Sequence, residues 1–201
     1  MDSSGLLFYW ISWIFLIYIL FFMEKHKIRK VLAYWVLLVI ICSKIYITIG
    51  YYSFSITFIL LFTGAAIWIM LLPRFMHQLL CSFTVAILYA AIHFWLTVAP
   101  IWLFLPITVI ISISCSLFIV LLVKEPRYRK AICLFGICCG EVIHSFTMVS
   151  YGFFKNIGEM IFFDHLAGML LIFTLLAILH KGAVKINGLL KQKQLLRWQN
   201  E

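Results

Sequence analysis

Seven long apolar runs constrain this chain more than any other feature. Each run has about 19 to 21 residues, and the runs lie at 5–23, 31–49, 54–72, 79–99, 104–123, 131–150 and 161–179. At 1.5 Å of rise per residue, a helix of this length crosses a hydrocarbon core of about 30 Å. A helix also satisfies its own backbone hydrogen bonds in lipid. The sequence therefore predicts an all-α, polytopic transmembrane bundle of about seven spans.

The composition leaves no room for a separate soluble domain. The 201 residues are 65% hydrophobic and only 11% charged, whereas about 25% of the residues of a soluble domain are charged. So few charges do not cover the surface of a soluble protein of this size. We therefore expect one transmembrane domain over residues 1–180, with the lipid bilayer as its solvent, and a basic tail at 181–201.

Basic residues alternate between the two sets of connections. The connections after the first, third and fifth runs and the tail after the seventh hold Lys25, Lys27, Arg29, Lys30, Arg74, Lys124, Arg127, Arg129, Lys130, Lys181, Lys185, Lys191, Lys193 and Arg197. The other connections hold only Lys155, and Lys44 falls within the second run. Because basic loops are retained in the cytoplasm, the pattern predicts an outside N-terminus and a cytoplasmic C-terminus.

The net charge of +9 does not indicate a nucleic-acid partner, because the charges lie in short clusters between apolar runs. Such clusters suit anionic lipid, to which each nearby Lys or Arg contributes about 1 kcal/mol. The tail mixes apolar and basic residues, which is compatible either with a helix along the inner membrane surface or with a frayed end.

Six ionisable residues lie at membrane depth, where a charge costs at least about 2.5–3.5 kcal/mol near the centre of a span. With the predicted orientation all six fall in the outer half of the bilayer. They are Lys44, His93, Glu141, His144, Asp164 and His165.

Glu141 and His144 are three residues apart on one helix and so share a face. The same run holds Gly136 and Gly140, a pair that allows another helix to approach closely. One hypothesis is an outward-facing polar cavity that binds an ion, a proton or a small polar solute through these six residues. The other is a buried Lys44–Glu141 ion pair, with the histidines bonded to neighbouring carbonyl groups.

A metal site requires the three histidines, Glu141 and Asp164 to converge, which the sequence does not indicate. Glu-x-x-His occurs once, whereas di-iron bundles need two copies. We therefore predict no metal and no cofactor. The chain also lacks a Gly-x-Ser-x-Gly elbow, a His-Glu-x-x-His helix and a phosphate-binding glycine loop, which argues against an enzyme.

Three segments carry a family resemblance: FYWISW at 8–13, FFMEK at 21–25 and IGEMIFFD at 157–164. With the overall layout, they resemble the YphA-type small membrane proteins of Bacillus-like bacteria. The resemblance implies a multi-pass protein of the bacterial plasma membrane, and it assigns no role to any residue of this chain.

Two functions from different classes follow from these patterns. The first is a non-enzymatic accessory protein that docks on a membrane-protein partner. The second is a transporter of an ion or small solute, or its substrate-binding unit, built around the outer-half polar residues. An intramembrane enzyme is a third alternative.

Overall fold

A computed structural model describes residues 5–22, 27–49, 52–98, 106–153 and 156–198. Within these residues the chain forms seven α-helices and a two-stranded sheet. The elements are α1 (Leu6–Phe22), α2 (Lys27–Cys42), β1 (Tyr46–Ile49), β2 (Tyr52–Ser55), α3 (Ile56–Met70), α4 (Phe75–Val98), α5 (Ile107–Leu122), α6 (Pro126–Ser150) and α7 (Met160–Trp198). Of the predicted connections, 24–26, 50–51, 100–103 and Lys155 lie outside the described residues, as do 199–201 of the tail.

The helices differ in how well they fit a membrane. By length and composition, α4, α6 and the part Met160–Leu179 of α7 are long and apolar enough to cross it. Helices α1, α3 and α5 are apolar but have only 17, 15 and 16 residues, so each is about 23–26 Å long. Helix α2 also has 16 residues. The prediction of a mainly helical protein is confirmed, with one helix corresponding to each apolar run.

The second run departs from the prediction at its end. We predicted a helix to residue 49, but α2 ends at Cys42 and Tyr46–Ile49 is strand β1. Strand β1 pairs antiparallel with β2, with Tyr46 opposite Ser55 and Ile49 opposite Tyr52. The segment is rich in β-branched and aromatic residues, which favour a pleated strand. Because such residues are also apolar, hydropathy alone did not separate this strand from the helix.

The segment just before α7 forms hydrogen bonds with the hairpin of β1 and β2. The Ile157 N–H donates to the Ser53 carbonyl at 2.8 Å, and the Ser55 N–H donates to the Ile157 carbonyl at 3.0 Å. The Ser53 hydroxyl donates to the side-chain oxygen of Asn156. Gly158 follows with φ +77°, and a Cβ there would lie 2.5 Å from that of Phe58. Glycine is therefore required where the chain turns from the sheet into α7.

Helices α4 and α6 make the most extensive contact between any two elements of the described chain. A Cβ on Gly136 would lie 2.8 Å from the Ser82 carbonyl oxygen, and one on Gly140 would lie 2.8 Å from that of Ala86. The two glycines therefore allow the backbones to approach closely, as the sequence predicted. The core around this contact includes Val85, Ile137 and Cys138, each 0% exposed.

Helix α7 runs without interruption from the last predicted span into the predicted tail. Its 39 residues correspond to about 58 Å of helix. The tail is therefore helical as far as Trp198. Its position along the membrane surface stays a prediction.

We predict that Gly140→Ala lowers the free energy of unfolding by about 1–3 kcal/mol, because added atoms strain a packed contact. The new methyl group would lie 2.8 Å from both the Ala86 carbonyl oxygen and Cδ1 of Tyr89. Thermal unfolding of the detergent-solubilised protein measures the effect. The matched control is Gly182→Ala in α7, where an added Cβ meets nothing within 4 Å. Equal melting temperatures for the two variants would contradict the close contact of α4 and α6.

Candidate functional site

Five polar side chains from three helices meet beside the contact of α4 and α6. We call them the polar cluster: Tyr89 and His93 of α4, Glu141 and His144 of α6, and His165 of α7. Tyr89 and His165 are 0% exposed, Glu141 is 1% and His144 is 3%. His93 is half-buried. The structure thus brings together four of the six predicted site residues and adds Tyr89.

The Tyr89 hydroxyl joins two of the helices that carry the cluster. It donates to Oε2 of Glu141 at 3.0 Å and lies 3.4 Å from Nδ1 of His165. Glycine at position 140 helps to bring the phenol ring this close, because a Cβ there would lie 2.8 Å from Cδ1 of Tyr89. The hydroxyl is therefore the link between the carboxylate of α6 and the imidazole of α7.

The three histidine rings of the cluster follow one another in space. The ring centroids of His93 and His144 are 4.2 Å apart, and those of His93 and His165 are 5.5 Å apart. The Tyr89 ring lies 5.7 Å from that of His93. These distances correspond to ring contact. His93 thus lies against both of the other histidines, beside the Tyr89 ring.

Helix α5 supports the cluster from the side of α7. The Ser112 hydroxyl donates to the backbone carbonyl of His165 at 3.2 Å. Gly168, one turn further along α7, would place a Cβ 2.6 Å from the same hydroxyl oxygen. Helices α5 and α7 therefore pack closely at His165, and the Ser112 hydrogen bond holds the backbone of His165 in place.

The structure places the two other predicted residues elsewhere. Lys44 lies exposed in the turn between α2 and β1, whereas Glu141 is 1% exposed and bonded to Tyr89. The hypothesis of a buried Lys44–Glu141 ion pair is therefore wrong. It assumed that α2 extends to residue 49, which would have held Lys44 within a span.

Asp164 bonds to the start of α1 rather than to the cluster. Its carboxylate accepts the N–H of Gly5 at 2.6 Å and that of Phe8 at 2.8 Å. The first N–H groups of a helix have no partner within it, and a negative charge there is stabilised by the helix dipole. Asp164 is 6% exposed, so it acts as a buried cap that ties α1 to α7.

The cluster does not have the geometry of a metal site. Among the residues that the structure describes, no group of three or more histidine, cysteine, aspartate or glutamate side chains is arranged to hold a metal ion. Asp164, which was a possible ligand, is bonded to backbone N–H groups instead.

The sequence analysis missed Tyr89 and Ser112. Tyr89 lies four residues before His93 on α4 and thus on the same face, which was the available signal. In an apolar run, however, a tyrosine is equally compatible with simple packing. Ser112 carried no signal beyond being a small polar residue in a span.

Comparison with known families agrees with this membrane architecture. The model of the YphA-like integral membrane proteins matches residues 4–197, nearly the whole chain. The chain belongs to the YphA-like integral membrane protein family. The suspected resemblance is thus confirmed, together with a location in a membrane. Neither the curated proteins nor the solved structures gave a match.

Proposed function

We propose that this member of the YphA-like family translocates a small cation across the bacterial plasma membrane, with Glu141 as the group that binds it. The supporting observation is a buried acidic side chain that lies with a buried tyrosine, two buried histidines and the half-buried His93 where α4, α6 and α7 meet. Ionisable groups are costly at membrane depth and typically mark ion or proton pathways.

The chemistry of the cluster suits a cation better than an anion or a neutral solute. An ionised carboxylate only accepts hydrogen bonds, and neutral imidazoles each offer one acceptor nitrogen. With Lys44 in the exposed turn, the cluster itself consists of tyrosine, histidine and glutamate side chains. A positive charge that enters it would be stabilised by Glu141.

We further propose that all seven helices cross the membrane, with the N-terminus outside and the C-terminus in the cytoplasm. The alternation of the basic connections supports this orientation. The hairpin of β1 and β2 and the segment that joins it then lie on the outer side, as do the ends of α4 and α6 nearest the cluster. A reporter enzyme that is active only in the cytoplasm, fused after residue 201, would be inactive if the orientation were reversed.

An accessory role is the second candidate, because the low exposure of the cluster is also what a purely structural cluster would show. Tyr89 and His165 are 0% exposed and Glu141 is 1% exposed, so this conformation holds the cluster away from solvent. A cluster that only fixes the packing of α4, α6 and α7 would look the same. The protein would then bind a membrane-protein partner, with anionic lipid at its basic connections and tail.

We predict that the protein moves charge in a Glu141-dependent manner. Purified protein in liposomes, adsorbed on a solid-supported membrane, is exposed in separate runs to a pH step and to a sodium chloride step. The wild type is expected to give a transient current in at least one run. Glu141→Gln removes the charge that binds the cation and should abolish this current.

Glu125→Gln is the matched control, because Glu125 is an exposed glutamate that precedes α6 and makes no side-chain cap bond. It is expected to keep the wild-type current. A current that persists in Glu141→Gln would contradict the proposed site. A wild type indistinguishable from protein-free membranes in both runs would contradict translocation and favour the accessory role.

A further inference from the structure

We infer that the cation is a proton, and that the Tyr89 hydroxyl passes it between Nδ1 of His165 and Oε2 of Glu141. This inference rests on the proposed function and specifies its substrate. Its basis is the position of one hydroxyl group between two groups that can each accept its hydrogen, at 3.0 Å from Glu141 and 3.4 Å from His165.

A tyrosine hydroxyl has a single hydrogen, so it can donate to only one of its two neighbours. In the first arrangement His165 is an imidazolium whose Nδ1–H donates to the Tyr89 oxygen, and Tyr89 donates to the Glu141 carboxylate. In the second, Glu141 is a protonated acid that donates to the Tyr89 oxygen, and Tyr89 donates to the unprotonated Nδ1 of a neutral His165 that keeps its Nε2–H. The two arrangements contain the same atoms and differ only in where the hydrogens are bonded.

Conversion of the first arrangement into the second moves one proton from His165 to Glu141. The Nδ1–H bond of His165 breaks as a new O–H bond forms on Tyr89. At the same time the original Tyr89 O–H bond breaks, and an O–H bond forms on Oε2 of Glu141. Tyr89 begins and ends as a neutral phenol, so the relay needs no ionised tyrosine.

The other titratable groups around Tyr89 come from all four helices packed there. They are His93 of α4, Cys115 of α5 and Cys138 of α6 beside Tyr89, His144 of α6 against His93, and Asp164, which adjoins His165 on α7. Asp164 is bonded to the N–H groups of Gly5 and Phe8. The groups that can exchange protons with the relay are therefore the histidines.

His93 is the member of the cluster from which the relay continues. It is half-buried whereas the others are buried, and its ring contacts those of His144 and His165. It lies five residues before α4 ends at Val98, on the side of the hairpin. A proton that arrives from the outer side would therefore meet His93 first, and the relay itself runs from His165 through Tyr89 to Glu141.

The bonding pattern also favours a proton over a metal ion. The Tyr89 hydrogen already lies between the Tyr89 and Glu141 oxygens, which are 3.0 Å apart, so a metal ion bound to both would have to break this hydrogen bond. Metal ions also need several ligands arranged around one point. The described residues hold no such group of histidine, cysteine and acidic side chains. A proton needs only the bonds that are present.

Infrared difference spectroscopy of the protein in lipid tests this inference, because the carbonyl stretch of a protonated carboxylic acid is distinct from the bands of a carboxylate. As the pH is lowered, the wild type is expected to develop a carboxylic-acid band that Glu141→Gln lacks. Tyr89→Phe removes one oxygen and keeps the ring. It is expected to change the band position and to move its pH midpoint by about one unit, since a hydrogen bond to the titrating group is lost.

Tyr18→Phe is the matched control, because Tyr18 is an exposed tyrosine on α1. It should leave both band and midpoint unchanged. His165→Gln carries the same test if Tyr89→Phe does not fold, and it should also move the midpoint. A band that persists in Glu141→Gln, or that is unmoved in the folded Tyr89 or His165 variant, overturns the relay.

The two proposals fail in distinguishable ways. A Glu141-dependent current on a sodium step but none on a pH step would support cation translocation and contradict the inference that the cation is a proton. A carboxylic-acid band that depends on Tyr89, found without any current, would support the proton relay and contradict translocation.

Discussion

The close packing of α4 against α6 is the contact on which the rest of the structure depends. Gly136 and Gly140 allow it, since a Cβ on either would lie 2.8 Å from a carbonyl oxygen of α4. In a membrane there is little hydrophobic drive to bring helices together, so shape and interhelical hydrogen bonds decide which faces meet. Here the close contact of α4 with α6 also places Tyr89 beside Glu141, so the same contact determines both the helix packing and the Tyr89–Glu141 hydrogen bond.

That coupling explains how the protein tolerates ionisable groups in its core. Each charge at membrane depth costs at least about 2.5–3.5 kcal/mol near the centre of a span, and hydrogen bonds offset part of the cost. The two carboxylates found there are used differently. Asp164 accepts two backbone N–H groups and fixes the start of α1. Glu141 is bonded to a hydroxyl that has a second neighbour, which is the arrangement that allows a proton to move.

Hydropathy predicted the helices well, because lipid requires long apolar segments with internal hydrogen bonds. It did not predict the β1–β2 hairpin. The residues that favour strands are as apolar as those that favour spans, so the prediction placed Lys44 inside a helix, whereas it lies in the turn after α2. Within the site, the positions of His93, Glu141, His144 and His165 along their helices followed from the sequence. The contacts between these residues could not be predicted. The sequence shows on which face of its own helix a residue lies, but it does not show which other helix packs against that face.

Tyr89 illustrates the same limit at the level of one side chain. Its partners lie 52 and 76 residues away along the chain, and no local pattern distinguishes a tyrosine that links two such groups from one that fills space. Ser112 is similar, with a backbone partner 53 residues away on α7. Tyr89 and Ser112 could therefore be recognised as site residues only once the helices were packed.

We propose that His165, Tyr89 and Glu141 act as one hydrogen-bonded unit inside the membrane. The most direct test is nitrogen NMR of the histidine-labelled protein in lipid bilayers. We predict that the Nδ1 resonance of His165, assigned by its loss in His165→Gln, reports a hydrogen bond. We also predict that it shifts in both Tyr89→Phe and Glu141→Gln. An Nδ1 resonance that is the same in the wild type and in both variants would contradict the account.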